Sequence, residues 1–505
     1  MTTPVGTFHA RIGAINDVLC AVSMLGWDAR TMMPPGGVET RGHQMATLTA
    51  LARDMLMAPE TERALEAAEA ACAGLDADHP DARAVAQTRH ALEVHRRIPA
   101  ALVHERAQLR TVAEAAWVEA RRTSDYTLFA PHLKRTMALA REWADAVGWQ
   151  GHPYDALAAQ FDAGETAANL KTLFAALRKG IAPILAAARA RPPARTDFLA
   201  RGYDEEGQRA FGLKVAERFG YDLSRGRLDT TVHPFALSMT RNDVRITTRY
   251  KTETPTASFF ATFHETGHGL YEQNIDPAHT RTALATDLVS LSAGGGAGSG
   301  VHESQSRLWE NHVARSRDFW RRHMPELRQT FPGKLDDVDA DAFYAAVTRV
   351  EPGLIRVEAD ELTYDLHIML RVDLELALID GSLDVADLPD AWNAAVKRDL
   401  GLDVPNDTLG LLQDVHWSWG YVGSFPSYTV GNVMAAQLMA AVREQVPGLD
   451  DALAAGEYRP LGDWLRANIW RHGKRFTRDE LLVRATGRAL DAEPYVAYLR
   501  GKYMG

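Results

Sequence analysis

One stretch of the chain reads Phe263-His264-Glu265-Thr266-Gly267-His268-Gly269-Leu270. It contains the pattern H-E-x-x-H, which places the imidazoles of His264 and His268 on one face of a helix. Two such rings can reach one divalent ion from the same side, and Glu265 then lies within reach of a water molecule at that ion. The alternative is that both histidines are ordinary helix residues hydrogen-bonded to the backbone. The stretch predicts a metal-binding helix.

A third metal ligand is expected downstream, because a catalytic ion of this kind commonly has three protein ligands. The metzincin continuation needs glycine and histidine where this chain has Tyr271 and Asn274, so that class is excluded. The remaining common solution is a carboxylate from a following helix. Glu303 is the best candidate, and Glu272 and Glu310 are its rivals.

Length and composition are typical of an ordinary globular protein. The chain has 505 residues, of which 46% are hydrophobic and 24% charged, which allows one large helical domain. A net charge of −10 gives no electrostatic footprint for nucleic acid or an anionic membrane. We find neither an uninterrupted apolar run of membrane-spanning length nor a signal-peptide pattern at Met1–Val5, so no membrane partner is expected. With Cys20 and Cys72 as the chain's cysteines, a cytoplasmic location is expected.

Helical periodicity dominates the chain. Apolar residues recur at helical spacing over 8–25, and we expect this helix to end at Gly26-Trp27-Asp28. The residues from 301 onward also indicate helices. Further helices are predicted over 40–57, 60–73, 81–96, 99–123, 128–147, 166–190 and 204–219.

Two segments depart from the helical pattern. Residues 229–235 and 243–250 are rich in β-branched and aromatic side chains, which predicts a short antiparallel sheet just before the H-E-x-x-H helix. The free edge of this sheet could hold an extended peptide over the metal, or the strands could be purely structural. Residues 294–300 are glycine-rich but lack the phosphate-binding spacing, so we reject a nucleotide site and expect a mobile loop beside the active site.

Several further motifs are spread over most of the chain. In chain order the motifs are Gly26-Trp27-Asp28, Met33-Pro34-Pro35-Gly36-Gly37, His233-Pro234-Phe235, Asp243-Val244-Arg245-Ile246-Thr247, His264-Glu265-Thr266-Gly267-His268, His302-Glu303-Ser304-Gln305-Ser306, Ile355-Arg356-Val357-Glu358-Ala359-Asp360 and Gly410-Leu411-Leu412-Gln413-Asp414-Val415-His416-Trp417. Together they resemble the Taq-type metallocarboxypeptidase family, a set of cytoplasmic H-E-x-x-H enzymes related in fold to neurolysin and angiotensin-converting enzyme. The chain departs from the family at 292–300, much of which looks inserted, and this insertion could change which substrates reach the metal.

The resemblance implies a fold and a domain organisation. The fold is a mostly α-helical, gluzincin-type peptidase with two lobes around a deep groove and the small antiparallel sheet beside the metal helix. Residues 1–505 form one peptidase domain, with an N-terminal helical lobe or lid over 1–150 and the metal and catalytic core over 228–440. A homodimer is the assembly usual in the family.

The resemblance also implies the metal ligands. It makes Glu303 the third ligand beside His264 and His268, with one divalent ion per chain. Zinc is the first choice, and cobalt or manganese are alternatives because two histidines and a glutamate accept all three. Glu265 then takes a proton from the attacking water and later passes it to the departing amine.

Further roles follow from the same resemblance. His416 and Tyr428 would donate to the tetrahedral oxyanion, ahead of Tyr421. Arginine suits the substrate's free carboxylate through its planar pair of donors, with Arg356 the first choice and Arg245 the second. The alternative for Arg356 is a structural salt bridge. Three acids are candidates for orienting the ligand histidines: Asp243, Asp360 and Asp414.

The predicted function is metal-dependent removal of C-terminal residues from peptides with a free C-terminus. One alternative is a metallo-oligopeptidase that cleaves internal bonds. Another is a non-catalytic peptide-binding scaffold, which the presence of Glu265 disfavours because a binding module does not need that carboxylate.

Overall fold

A computed structural model describes residues 3–505. Met1 and Thr2, which belong to the stretch searched for a signal peptide, lie outside the described residues. The structure is mostly helical with one small sheet, which confirms the predicted fold class. The two lobes around a groove stay a prediction.

The strands are β1 (Gly226–Thr230), β2 (Ala236–Thr240) and β3 (Asp243–Thr248). The helices are α1 (Pro4–Thr31), α2 (Val38–Met57), α3 (Pro59–Cys72), α4 (Pro80–Arg97), α5 (Ala100–Thr123), α6 (Ala130–Val147), α7 (Pro153–Ala158), α8 (Ala167–Arg189), α9 (Glu205–Phe219), α10 (Pro255–Gln273), α11 (Ser299–Arg307), α12 (Arg317–Thr330), α13 (Ala340–Val347), α14 (Glu361–Asp380), α15 (Leu388–Leu400), α16 (Pro426–Gln445), α17 (Leu449–Ala455), α18 (Arg459–Asn468), α19 (Arg478–Thr486) and α20 (Glu493–Met504).

The helix predictions between residues 40 and 219 are confirmed, with ends that differ by one or two residues, and α7 was not predicted. The predicted end of α1 at Gly26 is wrong. Gly26 is buried inside α1, and a Cβ there would lie 3.5 Å from the Met45 side chain of α2, so packing keeps it helical. The helix ends instead at Thr31, shortly before Met33, whose position ahead of Pro34 disfavours helical backbone.

By length and composition α1 could cross a membrane, with a mean hydropathy of 1.2 over its most apolar window, of which 39% is buried. This finding differs from the expectation of no such segment. The apolar face of α1 is already covered by protein. Phe8, Ile12 and Leu19 are almost fully buried in a cluster that also contains Leu56 of α2 and Leu65 of α3.

The small sheet has the strand order β1-β3-β2 and packs against α10, as predicted. It is mixed rather than antiparallel, because β1 pairs with β3 in parallel while β2 pairs with β3 antiparallel. The predicted first strand, 229–235, overlaps β1 only at residues 229–230, because β1 begins at Gly226 and ends at Thr230. Pro234 has no N–H to donate to a ladder, so residues 231–235 form the crossover between β1 and β2 instead.

The chain forms two compact units, each assembled from three chain segments. Unit 1 comprises Met1–His95, Ala194–Val347 and Ala435–Leu490. Unit 2 comprises Arg96–Pro193, Thr348–Met434 and Asp491–Gly505. Residues 1–150 therefore contribute to both units, and the organisation as a single peptidase domain stays a prediction.

In unit 1, α10 is supported from behind by aromatic side chains. The Phe259 ring lies 4.9 Å from that of Phe211 on α9, and the Phe263 ring lies 5.7 Å from that of Phe219. Phe219 also contacts Trp309, with ring centroids 4.5 Å apart. Such pairs add specific ring contacts to the apolar area that they bury. They position α10 in the core of the unit.

In unit 2, a buried carboxylate joins three helices. Asp365 of α14 is fully buried. Its Oδ1 accepts from Thr429 at 2.8 Å and Asn432 at 2.9 Å, both on α16. Its Oδ2 accepts from the hydroxyl of Tyr495 on α20 at 2.6 Å. Burial of this charge is compensated by these donors.

Replacing Asp365 with alanine removes the acceptor that these three buried donors share. We expect Asp365→Ala to cost about 3–5 kcal/mol and to lower the unfolding midpoint measured by calorimetry. The matched control is Asp450→Ala, which removes an exposed ion pair with Arg443 and should cost about 1 kcal/mol or less. Equal midpoints for the two variants would contradict the structural role of Asp365.

Candidate metal centre and active site

The close approach of α10 and α11 in unit 1 depends on Gly267. A Cβ at this position would lie 2.5 Å from the carbonyl oxygen of Gln305 and 2.6 Å from the Cα of Ser306. Glycine is therefore required where the two helices touch. On the neighbouring turn, a Cβ at Gly269 would lie 2.8 Å from the Tyr221 ring, so the second glycine lets α10 pack closely beside the sheet.

Three side chains converge at this contact, as the sequence predicted. Donor atoms of His264, His268 and Glu303 all lie within 4.8 Å of one another. The Oε2 atom of Glu303 lies 3.6 Å from Nε2 of His264 and 3.5 Å from Nε2 of His268. Of the two rivals, Glu272 contacts His302, and Glu310 contacts the far nitrogen of the His264 ring, Nδ1. Two imidazoles and a carboxylate form a donor set that fits a divalent metal ion.

The carboxylate of Glu303 is held in place by its own helix. Its Oε1 accepts from Arg307 at 2.6 Å, and its Oε2 accepts from Ser306 at 3.1 Å. Burial opposes ionisation of Glu303, but the positive charge of Arg307 and the neighbouring His264 outweigh it and keep its pKa well below its usual range. The carboxylate is therefore charged and oriented at neutral pH.

The Nδ1 atom of His264 lies 2.9 Å from Oε2 of Glu310. Glu310 belongs to a π-helical segment, Leu308–Ala314, that continues α11. It also accepts from Arg307 at 3.3 Å and from Arg315 at 3.1 Å. This carboxylate therefore fixes the ring orientation of His264, as outer carboxylates do for metal-binding histidines.

His268 has a different partner, His302, whose Nδ1 lies 3.3 Å from Nδ1 of His268. The Nε2 of His302 lies 2.8 Å from Oε1 of Glu272. Because a carboxylate only accepts, His302 donates from Nε2 and must accept at Nδ1 if it is neutral, so His268 donates from its Nδ1. Burial lowers the pKa of His268 to about 4, which keeps the ring neutral. His268 thus turns an Nε2 lone pair toward Glu303, as a metal ion requires, and the contact of Nδ1 with Glu310 leaves Nε2 as the ligand atom of His264.

Glu272 also binds the glycine-rich segment. Its Oε1 accepts from the backbone N–H groups of Gly295 at 3.0 Å and Gly296 at 3.1 Å. A Cβ at Gly296 would overlap the imidazole of His302, so the absence of a side chain lets the segment lie against that ring. The segment lies beside the site, as expected, but its central amides are bonded to a buried carboxylate rather than open to solvent.

Glu265 lies between the two histidines on α10 and is 6% exposed. Burial raises its pKa to about 7, although the neighbouring His264 opposes this shift. A carboxylate with a raised pKa accepts a proton more readily than an exposed one. Its position and basicity suit a general base.

Unit 2 contains three further predicted site residues, Arg356, His416 and Tyr428. Arg356 is 6% exposed, and its Nε donates to Oδ1 of Asp414 at 2.9 Å. Its Nη1 donates to the Tyr364 hydroxyl at 2.9 Å. Arg371 donates to the other oxygen of Asp414 at 2.7 Å. Two guanidinium groups share one carboxylate, so the cluster carries one net positive charge.

His416 and Tyr428 are brought together in the same unit. The Nε2 of His416 lies 3.1 Å from the Tyr428 hydroxyl. Burial and the charge of Arg356 lower the pKa of His416 to about 3, so the ring is neutral. Tyr421, the lower-ranked tyrosine, is 38% exposed and donates its backbone N–H to the carbonyl of His416.

The second-choice arginine, Arg245 on β3 in unit 1, forms a bidentate pair with Asp243 at 2.7 and 2.8 Å. Asp243 and Asp414 are therefore committed to arginines, and Asp360 caps α14. None of the three acids proposed from sequence orients a ligand histidine in the described structure; Glu310 and His302 do so. Arg307 could have been found from its i+4 spacing to Glu303.

A helical protein with a His₂Glu cluster and an adjacent basic carboxylate has the site of a metal-dependent hydrolase. Residues 7–503 match the family described as Carboxypeptidase Taq (M32) metallopeptidase. The chain belongs to this family and is a metallocarboxypeptidase. The resemblance predicted from the motifs is confirmed.

The relatives cover nearly the whole chain. Thermostable carboxypeptidase 1 of Thermus thermophilus is 42% identical over 493 residues, which are 95% of this chain and 94% of that protein. Carboxypeptidase 1 of Bacillus subtilis is 37% identical over 487 residues, covering 96% and 94%. The crystal structure of the M32 carboxypeptidase from Deinococcus radiodurans R1 is similar with a TM-score of 0.93 and 42% identity, covering 98% of both chains.

Replacing Gly267 with alanine should push α11 away from α10, because the added methyl group meets backbone atoms that cannot rotate aside. We expect Gly267→Ala to weaken metal binding about 10- to 100-fold, measured by competition with a chelator, since Glu303 moves with α11. The matched control is Gly42→Ala in α2, where a Cβ meets open space and should be neutral or slightly stabilising. Unchanged metal affinity in Gly267→Ala would contradict the tight helix contact.

Proposed function

We propose that the protein is a zinc-type carboxypeptidase that removes single residues from the free C-terminus of peptides. The convergence of His264, His268 and Glu303 beside the buried carboxylate of Glu265 carries this proposal. The three converging side chains would hold one divalent ion per chain, with zinc as our first choice and cobalt or manganese as alternatives. When bound, the ion would polarise the scissile carbonyl and lower the pKa of a water molecule.

Glu265 is the proposed general base. It takes a proton from the attacking water and returns that proton to the departing amine, so the carboxylate is regenerated in each turnover. Its raised pKa favours both steps at neutral pH. Glu310 and His302 are the proposed positioning residues, because each holds the Nδ1 of one ligand histidine.

His416 and Tyr428 are the proposed donors to the tetrahedral oxyanion. One of the two side chains donates a hydrogen bond to the other. An oxyanion would take the place of the accepting side chain and receive that hydrogen bond. Neutral His416 can donate one proton from its ring, and the tyrosine hydroxyl can donate another. This role rests on the family resemblance and on the pairing of the two side chains.

Arg356 remains our first choice for the substrate carboxylate. The cluster of Arg356, Arg371 and Asp414 holds an uncompensated positive charge in a buried setting, which favours an incoming anion. Arg245 is a weaker choice, since the carboxylate of Asp243 compensates its charge, whereas Asp414 is shared by two arginines. Arg356 also forms the salt bridge that was its alternative role, because Asp414 binds it from one side.

We also propose a homodimer in the cytoplasm, from the family resemblance and the low cysteine content. A mass in solution equal to that of one chain would contradict the dimer. Localisation of a tagged chain outside the cytoplasm would contradict the compartment.

Replacing Glu265 with glutamine keeps the shape of the side chain and removes its basicity. We expect kcat to fall by about 10²- to 10⁴-fold, while the metal content per chain stays unchanged. Glu205→Gln, which neutralises an exposed acid at the start of α9, is the control and should keep full activity. Retained turnover in metal-loaded Glu265→Gln would overturn the general-base assignment. Absence of hydrolysis in the metal-loaded native protein would favour the scaffold alternative.

Peptides that differ only at the C-terminus separate the carboxypeptidase from an oligopeptidase. We expect an N-acetylated peptide with a free C-terminus to be cleaved at its last bond, and its C-terminal amide about 10- to 100-fold more slowly, because a charge-assisted hydrogen bond is lost. Product masses identify the bond that is cut. Equal rates for both peptides, with internal products, would support the oligopeptidase. Arg356→Met should remove the preference, whereas Arg245→Met should keep it.

A further inference from the structure

A polar cavity lies within unit 2, between α5, α6 and the turn that follows His416. Its volume is ≈ 320 Å³ including its open mouth. The polar residues that line it are Arg106 and Arg110 from α5, Thr136 from α6, and Ser418 and Trp419 from the turn. The walls between them are apolar. Part of this volume is open solvent, so the enclosed space suits a compact ion rather than a larger molecule.

The two arginines of this cavity have no acidic partner among residues 3–505. Two other arginines of α5 and α6 do have acidic partners. Arg122 of α5 binds Glu119 with its Nε at 2.8 Å, and Arg135 of α6 binds Glu105 at 2.6 Å. A guanidinium group is charged at all physiological pH values, so two unpaired ones in one cavity create a local excess of positive charge.

Aromatic rings hold both guanidinium groups in place. The Cζ of Arg110 lies 5.4 Å from the centroid of the Trp419 ring and 5.6 Å from that of Tyr421. The Cζ of Arg106 lies 5.5 Å from the centroid of the Trp143 ring. Contact with a ring face leaves the in-plane N–H donors of arginine available. Burial lowers the pKa of Arg106, and no carboxylate offsets that cost.

We propose that this cavity is a binding site for a compact oxyanion, a carboxylate or a phosphate group, held by Arg106 and Arg110. The bound anion supplies the counter-charge that the protein itself does not provide. Thr136 offers a hydroxyl for the same ligand, and hydrogen bonds from a guanidinium group to an anion are stronger than those between neutral groups. The site does not use any residue assigned to the metal centre.

Binding here would also act on a residue of the proposed active site, and this consequence rests on the proposed function. Trp419 and His416 belong to one hydrogen-bonded turn. The N–H of Trp419 lies 3.2 Å from the carbonyl of His416, and the N–H of Tyr421 lies 2.9 Å from the same oxygen. An anion that fixes Arg110 against Trp419 and Tyr421 therefore fixes the backbone that carries His416.

The direct test is titration of the metal-loaded protein with inorganic phosphate and, in a second arm, with acetate, at constant ionic strength set by sodium chloride. We expect saturable binding by calorimetry and an upward shift of the unfolding midpoint. Arg106→Met should weaken binding about tenfold or more, since a charge-assisted hydrogen bond is lost. Arg122→Met, on the same helix but exposed and paired with Glu119, is the control and should bind as the native protein does.

A second readout separates a ligand site from a structural arginine. If Arg106 serves a ligand, Arg106→Met should raise the unfolding midpoint of the anion-free protein, because it removes a partly buried charge without a partner. A lower midpoint together with unchanged phosphate and acetate binding would overturn the proposal. So would midpoint shifts that sodium chloride reproduces. Acetate binding without phosphate binding, or the reverse, identifies which anion the site takes.

Both readouts are independent of hydrolysis, so a failure of the proposed function leaves them intact. If the proposed function also holds, saturating anion should change kcat for a free peptide with little change in KM, because His416 acts on the reaction rather than on the first binding step. An anion that binds with no effect on kcat would remove the link to His416 while keeping the site.

Discussion

The contact between α10 and α11 at Gly267 is the constraint on which the metal centre depends. His264 and His268 lie on one helix and Glu303 on the other, so the distance between the two backbones sets whether three ligand atoms can reach one ion. Backbone atoms of α11 lie where a side chain at Gly267 would be. The glycine therefore brings a distant carboxylate to the histidines, and the aromatic cluster around Phe219 holds α10 from behind.

The charged groups around the centre give each metal-binding side chain one defined protonation state. Arg307 donates to both Glu303 and Glu310, which keeps two nearby carboxylates ionised in a buried setting. Glu310 and His302 then define which nitrogen of each ligand ring carries the proton. The site is thus prepared for a cation by residues that do not themselves contact it, which is a common arrangement in metal enzymes.

Local sequence patterns predicted much of this structure. They did not predict contacts between residues that lie far apart in the chain. The H-E-x-x-H helix and most helix bounds follow from periodicity within a few residues, whereas Glu303 was chosen by counting ligands and from the family resemblance. Two failures have non-local causes. The end of α1 is decided by packing against α2 rather than by Gly26, and the parallel pairing of β1 with β3 depends on a crossover that alternation cannot reveal.

The same limit applies within the site. Arg371 shares Asp414 with Arg356 although fifteen residues separate the two arginines, and the glycine-rich segment is bound by Glu272, which lies on α10. No spacing rule connects such positions. The match to the family model identifies the family, and the geometry of this chain identifies the partners.

The π-helical segment Leu308–Ala314 constrains how the gene can change. It begins directly after α11 and carries Glu310, so the register of this wider turn decides whether that carboxylate meets His264. Removal or addition of one codon between Glu303 and Glu310 would rotate everything downstream by about 100°. A change in length would therefore separate Glu310 from His264 even if every side chain were kept. The number of residues in this stretch matters as much as the identities of Glu303, Arg307 and Glu310.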